Sequence, residues 1–190
     1  MCGEPVVLWV GRLTENKDPL TVLSGFELAL QELPTARLYM VYGSEELLPQ
    51  VRARVESSPT LKPAVTLLGS LAYADLEAVY NSADYFVLGS HREGASGALV
   101  EALACGVIPV VTDVPSSRRL TNGGTIGAHW PPGEAPAFAS AFVEVTRRPI
   151  RALAEQAVRH FEEDLSWRAI SRQALAVYQE LAAQRAGRKS

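Results

Sequence analysis

The chain has 190 residues, 47% of them hydrophobic, enough for one compact domain with a sizeable buried core. A formal net charge of -3 excludes a broad electrostatic surface for nucleic acid or anionic lipid, so any anion site has to be local. No apolar run approaches the roughly 18 residues of a membrane-crossing helix, and no signal-peptide pattern opens the sequence.

Residues 1–4 are expected to be a tag or linker remnant, residues 5–184 the domain, and residues 185–190 a flexible tail. The first strand is predicted over Pro5–Val10. The loop Gly11-Arg-Leu-Thr-Glu-Asn-Lys-Asp-Pro19 follows it and carries Arg12 and Lys17. Two cations before a helix N-terminus suit a diphosphate, although from this loop alone they read equally well as solvated surface charges. Asp18 is positioned as an N-cap and Pro19 as the first helical residue, with Leu23, Phe26, Leu30 and Leu33 on one face of a helix ending at Pro34.

Strands are predicted over Arg37–Tyr42, Ala64–Leu68, Tyr85–Leu88 and Val107–Val111, all rich in Val, Leu and aromatics and without polar alternation. Helices are predicted over Glu45–Glu56, Tyr73–Asn81 and Ser96–Cys105. The alternation implies an α/β class: a single Rossmann-like domain, its parallel sheet of about six strands covered by helices on both faces. C-terminal helices are predicted over Ala137–Thr146, Ile150–Glu163 and Trp167–Ala183. The last carries Trp167, Ile170, Ala174, Val177 and Leu181 at helical spacing, with Trp167 as its packing anchor.

Ligands of an open parallel sheet bind at the carboxyl ends of the strands, where strand order reverses. After the fourth predicted strand, Ser90-His-Arg-Glu-Gly-Ala-Ser-Gly-Ala-Leu-Val-Glu101 places Gly94 and Gly97 where free backbone amides could receive phosphate oxygens. Glu93 and Glu101 stand eight positions apart, up to about 12 Å along a helical path. That is about the span of a nucleotide sugar from ribose to hexose, and carboxylates accept hydroxyl hydrogen bonds. Glu101 would ordinarily be a solvated or capping residue, but its setting among Ala98, Leu99, Val100, Ala102, Leu103 and Ala104 calls for a partner.

His91 reads as a loop residue outside the catalytic set, and no His/Cys/Asp cluster has metal-ligand spacing. The two cysteines are Cys2 and Cys105; the latter, in Ala-Leu-Ala-Cys-Gly-Val, reads as a small buried thiol, consistent with a reducing, cytoplasmic compartment. The loop after the first strand lacks Gly-x-Gly-x-x-Gly, which argues against a dinucleotide-binding domain.

Taken in order, Val10-Gly-Arg-Leu-Thr, Lys17, Leu68-Gly-Ser-Leu, Asp75-Leu76, Ala83-Asp-Tyr-Phe-Val-Leu, Glu93-Gly, Glu101-Ala-Leu-Ala-Cys-Gly, Pro131-Pro-Gly and Leu165-Ser-Trp form a pattern. In it the chain resembles the C-terminal, donor-binding domain of GT-B glycosyltransferases of the group often called family four. The resemblance implies retaining transfer from a nucleoside diphosphate sugar, without a metal or other cofactor. It implies that Arg12 and Lys17 bind the diphosphate, Glu93 faces the hexose and Glu101 binds the ribose hydroxyls. Gly11, Gly94, Ala95, Ser96 and Gly97 would line the donor site, and main-chain groups over Gly69–Leu71 would read the base. The partner implied is an N-terminal acceptor-binding domain.

Three stretches depart from the family pattern. Ala95 and Ser96 stand where a bulky residue and glycine are usual, which loosens or reshapes the hexose pocket. Pro115-Ser-Ser-Arg-Arg119 replaces a Gly-Gly pair and a later glutamate, and Arg118 or Arg119 could add phosphate contacts or mark a changed site. A glycine-rich turn is reduced to Tyr42-Gly43-Ser44. A sugar-nucleotide 2-epimerase of the same architecture, and a non-catalytic nucleotide-binding module with a decayed site, remain as alternatives.

Overall fold

The computed structural model describes residue 1, residues 3–43 and residues 45–187. Expectations that fall on Cys2, on Ser44 and on residues 188–190 lie outside the described residues. Six strands form one parallel sheet: β1 (Val6–Gly11), β2 (Arg37–Tyr42), β3 (Val65–Gly69), β4 (Tyr85–Leu88), β5 (Ile108–Thr112) and β6 (Ala128–Trp130). Their order is β3-β2-β1-β4-β5-β6, so the direction of winding reverses between β1 and β4. The helices are α1 (Pro19–Ala29), α2 (Leu48–Ser57), α3 (Tyr73–Asn81), α4 (Gly97–Ala104), α5 (Pro115–Leu120), α6 (Ala135–Thr146), α7 (Ile150–His160) and α8 (Trp167–Gly187).

Successive strand side chains point to opposite faces, and the core divides accordingly. Val7, Trp9, Leu38, Met40, Tyr85, Val87, Val110 and Trp130 bury one face of the sheet against α1, α2 and α6. Leu8, Val41, Phe86, Leu88 and Val111 bury the other against Leu99, Ala102 and Leu103 of α4 and Ala157 of α7. Strands buried on both faces need apolar residues at every position, which is why these runs lack alternation.

Helix α1 begins as its sequence dictates. Asp18, at φ 44°, accepts from Thr21 N at 3.2 Å and Pro19 takes the first turn. Leu23, Phe26 and Leu30 are buried, with Leu33 packed against the same cluster. The helix crosses α6 closely at Gly25, where an added Cβ would lie 2.4 Å from Phe138 Cδ1 and 2.6 Å from the Ala135 carbonyl oxygen. Gly25→Ala gains about 1 kcal/mol of helix propensity but forces a clash worth about 1–3 kcal/mol. We expect the clash to win, because one of the contacting atoms is backbone. Thermal unfolding is the measurement, and an unchanged or raised Tm would show that the helices slide apart freely.

Several elements differ from expectation. β6 and α5 leave no element pattern in the sequence: β6 has three residues and α5 six, too short for a periodicity to register. Helix α2 starts at Leu48, with Pro49 in its first turn, rather than at Glu45. Helix α7 ends at His160 and passes into one π-type turn, Phe161–Leu165. Helix α8 runs on through Gly187. Its apolar stripe does not anchor it: Trp167 is 85% exposed and Ile170, Val177 and Leu181 are also exposed in this chain. The stripe's spacing specifies a helix, whereas burial requires an opposing surface, and the described residues present none to it. No helix among the described residues is long and apolar enough to cross a membrane.

Candidate functional site

The reversal between β1 and β4 leaves a crevice at the carboxyl edge of the sheet, flanked by the loops that follow those two strands. The loop after β1 forms a 3-10 turn, Glu15–Lys17, and the loop after β4 runs from Gly89 to Ser96. Asn16 stitches them together: its Nδ2 donates to Arg92 O at 2.9 Å and its Oδ1 accepts from Arg92 N at 3.1 Å. His91 N also donates to Asn16 O at 2.9 Å, and the His91 ring meets Asp18 Oδ2 at 2.9 Å. Gly89 allows this approach, since a Cβ there would stand 3.0 Å from Asp18 O and 2.9 Å from Val22 Cγ2.

A cavity of about 460 Å³ opens between the loops, lined by Gly11, Arg12, Lys17, Glu93 and residues 95–98 of the α4 entrance, with Tyr42, Ser70 and Leu71 opposite. Arg12 is exposed and forms no ion pair with the described residues. Lys17 is paired with Glu93, both side chains being at most 14% exposed, and Ser90 Oγ donates to the same carboxylate oxygen at 3.1 Å. At the start of α4, Ser96 accepts from Leu99 N at 3.3 Å. Gly97 and Ala98 then present the first helical amides, which have no intrahelical acceptor, on the cavity wall. The wall therefore offers one open cation, one cation shared with a carboxylate, and a helix N-terminus. That set suits a diphosphate.

Glu101 occupies a second cavity of about 350 Å³ with Tyr73, Leu76, Glu77, Tyr80 and Cys105. The two cavities adjoin at Leu76, which lines both. Tyr80 OH donates to Glu101 Oε2 at 2.9 Å, and burial together with this carboxylate pushes the phenol pKa well above its ordinary value. Burial, and then Glu77 and Glu101, also raise the Cys105 thiol, which is only half-buried and faces this cavity.

Of the residues singled out from sequence, Gly11, Arg12, Lys17, Glu93, Ala95, Ser96 and Gly97 are brought together on one cavity. Glu101 stands in the adjoining one, and Gly69 and Gly94 line neither. Gly69, at φ 75°, turns the chain so that Ser70 and Leu71 reach the first cavity. A Cβ on Gly94 or Gly97 would meet nothing within 4 Å, so the protein interior demands glycine at neither. Only Gly97–Ala104 is helical, so a continuous helical path from Glu93 to Glu101 does not exist. Arg118 is not available as a phosphate ligand: its guanidinium forms a two-pronged pair with Asp113, whose carboxyl it holds below the usual range. Neither Arg118 nor Arg119 lines either cavity. Asn16, Ser90 and Tyr80 were missed. Their contacts span 76, 3 and 21 residues, and only the Ser90–Glu93 spacing was open to a local reading.

The family model described as glycosyl transferases group 1 matches residues 4–148. The chain belongs to that family. Mannosylfructose-phosphate synthase of Agrobacterium fabrum is 37% identical over 114 residues, a match covering 56% of this chain and 25% of that protein. Phosphatidyl-myo-inositol mannosyltransferase of Mycobacterium leprae is 27% identical over 187 residues, covering 93% of this chain and 46% of that one. The chain thus spans less than half the length of these relatives. In fold it is similar to Anabaena HepE, crystallised with UDP and glucose, at a TM-score of 0.79 and 19% identity over 92% of this chain and 48% of that one. Its all-parallel sheet of six strands matches the Rossmann-like half of such GT-B structures.

Proposed function

We propose that this domain binds the nucleoside diphosphate sugar of a retaining glycosyltransferase and stabilises the departing diphosphate. The observation that carries the reading is the convergence of Arg12, Lys17 and the first amides of α4 on one cavity at the reversal point of the sheet. In this reading the diphosphate displaces Glu93 from Lys17 and frees that carboxylate for hydroxyls of the transferred hexose. Glu101, in the adjoining cavity, takes the ribose hydroxyls, and the backbone at Ser70–Leu71 meets the base.

The chemistry asks the domain for charge stabilisation rather than for a nucleophile. As the glycosidic bond to the diphosphate breaks, negative charge grows on the leaving oxygen, and Arg12, the released Lys17 and the amide dipoles of α4 stabilise it. That oxygen takes the acceptor's proton, and the new bond forms on the face the leaving group vacates, retaining the configuration. No resident metal is needed for the charge. The acceptor-binding half is supplied by an N-terminal domain outside this chain, so the isolated domain binds donor and turns over little.

A thermal-shift panel of uridine, guanosine and adenosine diphosphates and their hexose conjugates tests the reading. A ligand at 100 times its Kd stabilises the folded state by about 2.7 kcal/mol, a rise in Tm of roughly 5–10 °C for a domain of this size. We expect one base to give such a shift, undiminished by EDTA. A flat response to all of them would dispose of the donor site.

A further inference from the structure

We propose that Tyr80 is a positioning residue that makes the site select a ribose bearing its hydroxyls, by holding one oxygen of Glu101 so that the other faces the ligand. The inference rests on the donor-site reading above and names the device by which that site recognises the sugar next to the base.

Glu101 carries its carboxylate on flexible torsions at the surface of α4, and its only hydrogen-bond partner among the described residues is the Tyr80 hydroxyl, at 2.9 Å from Oε2. Tyr80 itself has no freedom. It is 2% exposed, and its ring packs on Phe86 with the centroids 6.3 Å apart. The phenol carries one proton. Ala98 O lies at 3.2 Å as a second acceptor, but a bond to an ionised oxygen is the stronger, so the proton goes to Glu101. Oε1 is then left without a hydrogen-bond partner among the described residues, on a side chain that lines the same cavity as Tyr80. That cavity also holds Glu77, and two acids beside apolar ring surface repel a phosphate but accept from neutral hydroxyls. The adjoining cavities thus divide a ligand by charge, with the anion beside Arg12 and Lys17 and the polyol beside Glu101.

A site built to accept from hydroxyls loses discrimination when the acceptor is no longer aimed. The test measures, by calorimetry on this chain, the affinity of whichever of uridine, guanosine or adenosine diphosphate binds best, and of its 2′,3′-dideoxy analogue. In Tyr80→Phe we expect the ribonucleotide to weaken roughly five-fold and the dideoxy analogue by less than about two-fold, so that the preference between them shrinks. Adding Tyr80→Phe to Glu101→Gln should then cost little more, since both act through one contact. Equal weakening of both nucleotides would mark Tyr80 as merely structural, and unchanged affinities would leave it no role; either result overturns the proposal. Should Tyr80→Phe fail to fold, Tyr80→Met fills the space without a donor and is held to the same ratio. Absence of saturable binding by the unsubstituted chain overturns the donor-site reading itself, and this inference with it.

Discussion

Lys17→Ala in an enzyme containing this domain is expected to lower kcat roughly 100- to 1,000-fold, the loss seen when one preorganised donor to a developing anion is removed. The geometry makes the loss more than that of one cation. Lys17 neutralises Glu93 at the cavity wall, with both side chains largely buried. Without the lysine, Glu93 loses its counter-charge and the proposed diphosphate loses a cation, in a partly desolvated crevice where charge repulsion is weakly screened. Arg12→Ala should cost less, because Arg12 is exposed and no carboxylate among the described residues pairs with it. Steady-state kinetics on the intact enzyme, with saturating donor, separates the two. Turnover of Lys17→Ala within three-fold of the parent would remove Lys17 from the chemistry.

Phe142→Ala should lower the unfolding free energy by about 3–5 kcal/mol, a large part of the 5–15 kcal/mol typical of a whole domain. Phe142 is fully buried and touches three other rings. It stacks on Phe138 at 6.0 Å, meets Tyr85 edge-on at 5.5 Å and leans on Phe26 at 6.3 Å. It therefore joins α6 to α1 and to the sheet strand β4, whose far end carries the site loop. Truncation removes contacts on three sides, and no single neighbour can move to fill the space without breaking another contact. Urea unfolding at constant m measures the change. A loss below about 1 kcal/mol would mean that this core relaxes freely and that the ring cluster carries little of the stability.

How much of this was readable beforehand differs between fold and site. The runs Arg37–Tyr42 and Tyr85–Leu88, the helix Tyr73–Asn81 and the Asp18-Pro19 start of α1 stand in the structure where residue pattern put them. Each is recorded within a few consecutive residues, as a solid apolar run, a 3.6-residue period or a cap. The short β6 and α5 are not. At the site, residue types told where cations and acids were available but not how they would be shared. Arg118, which the residue pattern leaves open to phosphate contacts or to a changed site, is held by Asp113, whereas Lys17 is already paired across 76 positions. Ser96, a departure from the family pattern, turns out to cap α4.

What the chain's order of residues determined alone was local and compositional: an α/β alternation buried on both faces, a modest net charge with a cationic loop, and motifs characteristic of one transferase family. Tertiary structure alone decided which loops meet. The reversal of winding between β1 and β4 sets Asn16 against Arg92, packing of α3 beside α4 brings the Tyr80 hydroxyl to Glu101, and α8 is left with Trp167 uncovered. The physical reason is range. Periodicity and capping are satisfied within one or two turns of chain, but a contact between distant residues exists only once the sheet and its helices have packed, and no local pattern encodes that distance.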